Sequence, residues 1–331
     1  MIATFPRGVV VLSLDTEQIW GHLDLMGEWE YHRRFPDTTG AYDRLLAALT
    51  TAGISATWFI VGGLTLDSWL GASDPRLAKL PEYWRRHIPA GSEASRPVWF
   101  RRSFAERLRD ATPRQEIGLH GGLTHLIWTD PRAGIDHIRA ELTEGLRALN
   151  QLRIFPQSLS FPRDQERYHS LLPLHGIRCF RGRTPTLDFR LGRNLAGSAL
   201  RALSQLSAST PPPVWPEQVS PGLWNLPSSA FLYPIGVWRS RVIPMRTRLT
   251  RFARGIEAAS RLRGVFHFSF HPANLTECAG GFALLEEMLR LLLRARESGD
   301  IEILTVADLI ARVDTGRTAV PDQAERIAAM N

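Results

Sequence analysis

Lysine is all but missing from this 331-residue chain. Lys79 stands alone, and arginine supplies nearly all of the 40 basic residues. The formal net charge is +7, yet the arginines are scattered and form no long basic run. No basic helix, zinc finger or aromatic-basic sheet motif accompanies them, so nucleic acid is not expected as a partner. The surplus is first a compositional habit in which arginine stands for lysine, and beyond that it suits an anionic substrate or peripheral contact with an anionic membrane surface. Cysteine is equally scarce. Cys179 and Cys278 lie far apart with no CxxC pairing, which excludes a zinc knuckle and a disulfide framework. Long hydrophobic runs are missing too. No stretch is long enough to span a bilayer. The opening MIATFPRGVVVLSLD has too short an apolar run, with no small-residue cleavage site after it, to act as a secretory leader. The expectation is a soluble cytoplasmic protein.

What is present is ample material for a core. Hydrophobic residues make up 44% of the chain and charged residues 22%, which argues against disorder. Gly8 to Leu14 is an apolar, β-branched run ending at Asp15 and reads as a buried strand. Residues 41–52 have helical spacing and stop at Gly53, and 54–63 read as a second strand. This β-α-β unit predicts a parallel sheet. Further strands are expected at 116–121, 158–164, 177–182, near 223–232, at 264–272 and from 301. Helices are expected at 133–150, 165–176, 247–264 and 280–299. Residues 64–112 read as short helices and loops. Residues 183–222, with the PPPVWP tract, read as an irregular insertion. The whole reads as one α/β domain over 1–313, with 314–331 a polar tail. About seven or eight strands alternating with helices favour a (β/α) barrel over an open sheet.

In barrels, functional groups gather at the C-terminal ends of strands. Four expected strand ends carry such groups: Asp15 and Glu17, then His120 with His125, then Arg163 and Asp164, then His271. Each alone is better explained as a turn, cap or core residue. Together they fit a single-metal hydrolase: histidines and one carboxylate on the ion, a second carboxylate as base, a separate histidine as acid. The two histidines of the 120–125 segment are five apart. On a helix, at ~100° per residue, that leaves them ~140° apart. They meet only through a loop, for which Gly121 and Gly122 supply the freedom.

LSLDTEQIWG, EIGLHGGLTH, LSFPRDQ followed by HGIRCFRG, and FHFSFHPANL occur in this order. Over about residues 8–310 they resemble the motifs of the polysaccharide deacetylases (the NodB-homology, or carbohydrate esterase 4, family) in an Asp-x-Glu variant. The resemblance implies a distorted (β/α) barrel and one divalent metal, with zinc the expected ion. It implies Asp15 as base, Glu17, His120 and His125 as ligands, Arg163 pairing with Asp15, and His271 as general acid. The sequence departs from the common pattern in having Thr16 between the carboxylates and Pro162 before Arg163. Trp20, Trp128 and Trp224 are candidates to wall a sugar site, whereas Trp58, inside a strand, reads as core.

The implied reaction removes an acetyl or other acyl group from an amino sugar of a surface polysaccharide or glycolipid precursor, carried as a sugar nucleotide or lipid-linked sugar. Two alternatives stay open at this point. One is a lipid-linked sugar deformylase or another amide hydrolase on the same fold. The other is a non-catalytic barrel that binds a glycan or a partner.

Overall fold

A computed structural model of the protein describes residues 5–186, 195–233, 242–277 and 280–315. Cys278 and the tail beyond Thr315 lie outside them. The chain opens with strand β1 (Gly8–Thr16), buried along its whole length. Val9 to Val11 set its β preference, and burial on both faces removes any need for polar alternation. β1 is central: it pairs in parallel with β2 (Thr57–Ile60), β11 (Val265–Phe270) and β12 (Ile301–Ile303). From β2 the sheet continues in parallel through β5 (Glu116–His120), β6 (Ser158–Ser160), β7 (Cys179–Gly182) and β9 (Leu223–Pro227). A two-residue ladder, β3 (Ser68–Trp69) with β4 (Gly91–Ser92), stands apart within residues 66–100.

The ring is completed by a single bent segment. Leu223–Pro227 pairs with β7, and directly afterwards Ala230–Phe231 (β10) pairs with β11. The amide of Ser228 still donates to Gly182 O, while that of Ser229 already donates to His267 O. The bend between these two serines hands the segment from one edge to the other. The staves are therefore β1, β2, β5, β6, β7, the bent β9–β10 pair, and β11. This is the barrel that the alternation predicts, distorted as the resemblance implies.

Side chains alternate between the barrel interior and the surrounding helices. On β1, Val10, Leu12 and Leu14 pack outward into the large helix-facing core. Val9 and Val11 point inward to a smaller cluster with Phe59, Cys179, Leu226 and Val265. Ser13 and Asp15 continue that inward row. The interior thus runs from apolar at the bottom to polar at the top, which places polar chemistry at the C-terminal strand ends.

The outer layer contains the helices Thr38–Thr51, Ile135–Gln151, Met245–Leu262 and Gly281–Glu297. The first ends two residues before Gly53, whose φ of +60° suits a residue with no Cβ. Phe266 and Phe268 of β11 pack edge-on against Phe252 of the helix outside it. Two expectations change in detail. Of the helix predicted at 165–176, only Leu171–Leu174 forms, since Pro173 removes an amide donor. The stretch 183–222 is not wholly irregular: it holds a helix, Leu195–Leu206, and strand β8 (Glu217–Ser220), antiparallel to β9. Its residues 187–194 lie outside the described ones. Among the described residues no helix is long and apolar enough to cross a membrane.

Candidate metal centre

At the top of the barrel, Glu17 follows β1, His120 ends β5, and His125 lies in the loop beyond it. Their ligand atoms all fall within 4.8 Å of one another and all three side chains are buried. Glu17 Oε2 lies 3.1 Å from His120 Nε2 and 3.0 Å from His125 Nε2. A tetrahedral site with ~2.0–2.1 Å bonds separates its ligands by ~3.4 Å, so this spacing is close to what one ion requires.

The five-residue spacing of the histidines is solved by two tight γ-turns. Gly121 has φ +72°, and Gly122 N donates to His120 O across it. His125 has φ +76° and ψ −75°, and Leu126 N donates to Thr124 O across it. A γ-turn of this hand is rare and strained for any residue with a side chain. It costs on the order of 1–3 kcal/mol and persists only where the surroundings enforce it.

Two features fix the ligand atoms. His120 Nδ1 donates to Ser160 O at 3.0 Å, so in the neutral ring Nε2 carries the lone pair. Its Nε2 faces Glu17 Oε2 at 3.1 Å, a contact that either a ring proton or a cation shared by the two atoms satisfies. His125 is buried, and among the described residues neither of its ring nitrogens makes a hydrogen bond. Its Nε2 is near Glu17 Oε2 but out of line for one. Burial and the neighbouring His120 lower its pKa to about 4, leaving a neutral imidazole, the form that ligates metals. The Glu17 carboxylate folds back over Gly21, where any Cβ would collide with it. This donor set fits a divalent cation.

Beside the triad, Asp15 is buried and gripped by Arg181, with Nη1 to Oδ1 and Nη2 to Oδ2 both 2.7 Å. Burial alone would raise the Asp15 carboxyl, but Arg181 and the nearby His120 and His271 hold it well below the usual range. Glu17 behaves alike: burial opposes its charge, and His271, His120 and His125 outweigh burial. His271, at the end of β11, sets Nε2 3.4 Å from Asp15 Oδ2 and 3.3 Å from Glu17 Oε1. Burial disfavours its charged ring, yet Glu17 and Asp15 raise it to about 9. Phe231 packs edge-on against it.

The structure corrects the arginine. Arg163 does not reach Asp15. It follows β6 in a 3-10 turn with φ +51°, which swings the side chain outward to Asp24, at 2.5 and 2.8 Å. Arg181 takes the expected place because it is an inward position of β7, two residues after the inward Cys179. Behind it, Ser13 Oγ lies 3.3 Å from Arg181 Nη1 and 2.9 Å from His267 Nε2, and His267 Nδ1 donates to Pro227 O at 3.1 Å. None of these was singled out from the sequence. The readable signal was a charged residue at an inward parity of a strand.

The tryptophans are also corrected. Trp20 is fully buried, donates to Trp99 O at 2.8 Å and packs edge-on against Trp69, Trp99 and Phe100. Trp128 is fully buried against Phe161. Trp224 lies toward the N-terminal end of β9 and donates to Asp314 of the last helix. None offers a face to a sugar at the strand C-termini. Trp58 is core, as read, with its indole on Gln115 Oε1 at 3.1 Å.

No family model and no curated protein matches this sequence. Solved structures match its architecture. A Mycobacterium smegmatis protein assigned as a polysaccharide deacetylase superposes with a TM-score of 0.62 at 16% identity, over 97% of this chain and 96% of that one. The fold is that of the polysaccharide deacetylases. A peptidoglycan deacetylase from Bacillus subtilis, in mutant form, gives 0.46 at 11% identity over 94% of each chain. A 4-alpha-glucanotransferase from Thermococcus litoralis gives 0.50 at 11% identity, over 92% of this chain and 40% of that one. One architecture thus carries different chemistries, and function has to be argued from the site.

Proposed function

We propose that this chain is a metal-dependent hydrolase that removes an acetyl, or another small acyl group, from the amide nitrogen of an amino sugar. One observation carries the reading. The Glu17 carboxylate is wedged between His120 Nε2 and His125 Nε2, and the three buried ligand atoms converge within 4.8 Å, where one ion would be held by all of them.

A divalent ion there, zinc by its nitrogen and carboxylate donors, supplies Lewis acidity that polarises an acyl oxygen and makes water nucleophilic near neutral pH. The chain's own groups do the rest. Asp15, kept ionised by Arg181, accepts the proton of the attacking water. Arg181 holds both Asp15 oxygens and so fixes the direction of that transfer. His271, with Nε2 3.4 Å from Asp15 Oδ2, donates from that nitrogen to the departing sugar nitrogen. The two groups are poised oppositely, as an acid–base pair must be.

The 4-alpha-glucanotransferase neighbour raises a second chemistry, glucan transfer. The pairing of Glu17 with two histidines favours the hydrolase. As substrate, a sugar nucleotide or lipid-linked amino sugar suits the net positive charge. The test is release of acetate, and separately of formate, from N-acylated precursors of both kinds, with zinc, cobalt or manganese added and with chelator. Metal-dependent acid release supports the reading, with acetate or formate naming the acyl group. No release under any metal, or glucan transfer in its place, overturns it.

A further inference from the structure

The loop that returns His125 to the centre has an anchor outside the proposed chemistry. We propose that Glu141 is the positioning residue for the second histidine ligand: its buried carboxylate holds the γ-turn at His125, and so sets metal affinity. The inference rests on the reading of Glu17, His120 and His125 as the metal triad.

Glu141 sits on the inner face of the helix Ile135–Gln151 and is fully buried. Its Oε1 accepts from Thr124 N at 2.6 Å and from His125 N at 2.7 Å. Its Oε2 lies 3.0 Å from Thr124 Oγ1, which donates to it. Its backbone oxygen accepts from Leu123 N at 3.1 Å. Three consecutive residues leading into the ligand are therefore tied to one side chain and its own carbonyl. Among the described residues no ion pair involves Glu141, so its oxygens serve the loop alone. The fit is tight. A Cβ on Gly122 would stand 2.5 Å from Glu141 Cγ, and one on Gly145 would stand 2.5 Å from Gly122 C. The loop is pressed onto the helix, and the carboxylate decides where the strained turn sits. A shift of the His125 backbone there carries its unbonded ring away from Glu17 and His120.

The experiment compares the full-length chain with Glu141→Ala, Glu141→Asp and Glu141→Gln. Zinc affinity is read by competition with a chromophoric chelator, and the cobalt absorption spectrum reports ligand geometry. Both are measured well below each melting temperature. Glu141→Ala should bind zinc about 10- to 100-fold more weakly and shift the cobalt spectrum. Glu141→Asp, which keeps a carboxyl group but retracts the acceptor, should also weaken it. Glu141→Gln keeps the Oε1 acceptor and should recover most of the loss. If Glu141→Ala fails to fold, Glu141→Asp decides. Wild-type affinity in a folded Glu141→Ala or Glu141→Asp, with only the melting point lowered, overturns the positioning role and leaves the triad standing. A wild-type chain that binds no zinc overturns the triad and this inference with it.

Discussion

Arg181 and Asp15 face each other fork to fork inside the barrel, with both nitrogen–oxygen distances 2.7 Å and both side chains about one-twentieth exposed. Removing one partner of such a pair strands a buried charge, which costs ~3–5 kcal/mol. Arg181→Met should therefore lower unfolding free energy by about that much. It should also cut amide hydrolysis on the order of 10²-fold or more, because Asp15 loses its orientation. Arg163→Met breaks only the pair with Asp24, whose side chains are partly exposed, and should cost less than about 1 kcal/mol. Urea denaturation of the two variants checks the contrast. Equal losses would contradict the assignment of Arg181.

Gly21 tests the pose of Glu17. The three atoms nearest to a Cβ built there all belong to the Glu17 carboxylate, at 2.2–2.5 Å. In Gly21→Ala the carboxylate is the far end of a side chain and can swing aside, but moving a buried charge off its histidine partners should cost on the order of 1–3 kcal/mol of unfolding free energy. Displacing Glu17 from the two histidines should also weaken zinc binding about tenfold or more. Calorimetry of unfolding alongside a zinc titration tests this, and an unchanged zinc affinity would show that Glu17 does not ligate in this pose.

His267 links pH to stability. Burial, and then the charge of Arg181, lower its pKa to about 3 in the folded chain, against ~6.5 unfolded. Between those values the unfolded chain binds the proton and the folded one does not. Stability is therefore full above pH ~6.5 and falls as pH drops toward 3, by up to ~1.4 kcal/mol per pH unit. Glu141 works the other way: burial raises its carboxyl to about 7, so the folded chain holds its proton longer than the unfolded one. A His267→Asn comparison isolates the first effect. Between pH 4 and 6 the stability of the variant should depend less steeply on pH than that of the wild type. Parallel slopes would contradict a neutral buried His267.

Much of this was legible in the sequence, for definite reasons. Buried parallel strands announce themselves as apolar β-branched runs, and the polar groups at or just past their ends, Asp15, Glu17, His120, His125 and His271, converge because a barrel brings those ends together. Gly121 and Gly122 correctly signalled a loop where helical spacing failed. Arg163 misled because nearness to a strand end was weighed without the turn that follows Pro162, where left-handed backbone reverses the side chain. Arg181 was hidden inside an expected strand, though the alternation Cys179, Arg181 marks it as inward. Trp20 follows the acidic motif in sequence but fills the space beneath it, since chain proximity does not report burial. Barrel closure depends on one bend at Ser228 and Ser229, a change of pairing partner that no periodicity encodes.

Equilibrium dialysis against zinc tests the central claim most directly. The full-length protein should hold one ion per chain, Asp15→Asn should keep it, and Glu17→Gln and His120→Ala should lose it. Absence of bound zinc, cobalt or manganese in the folded wild type, or full retention in Glu17→Gln, would contradict the account.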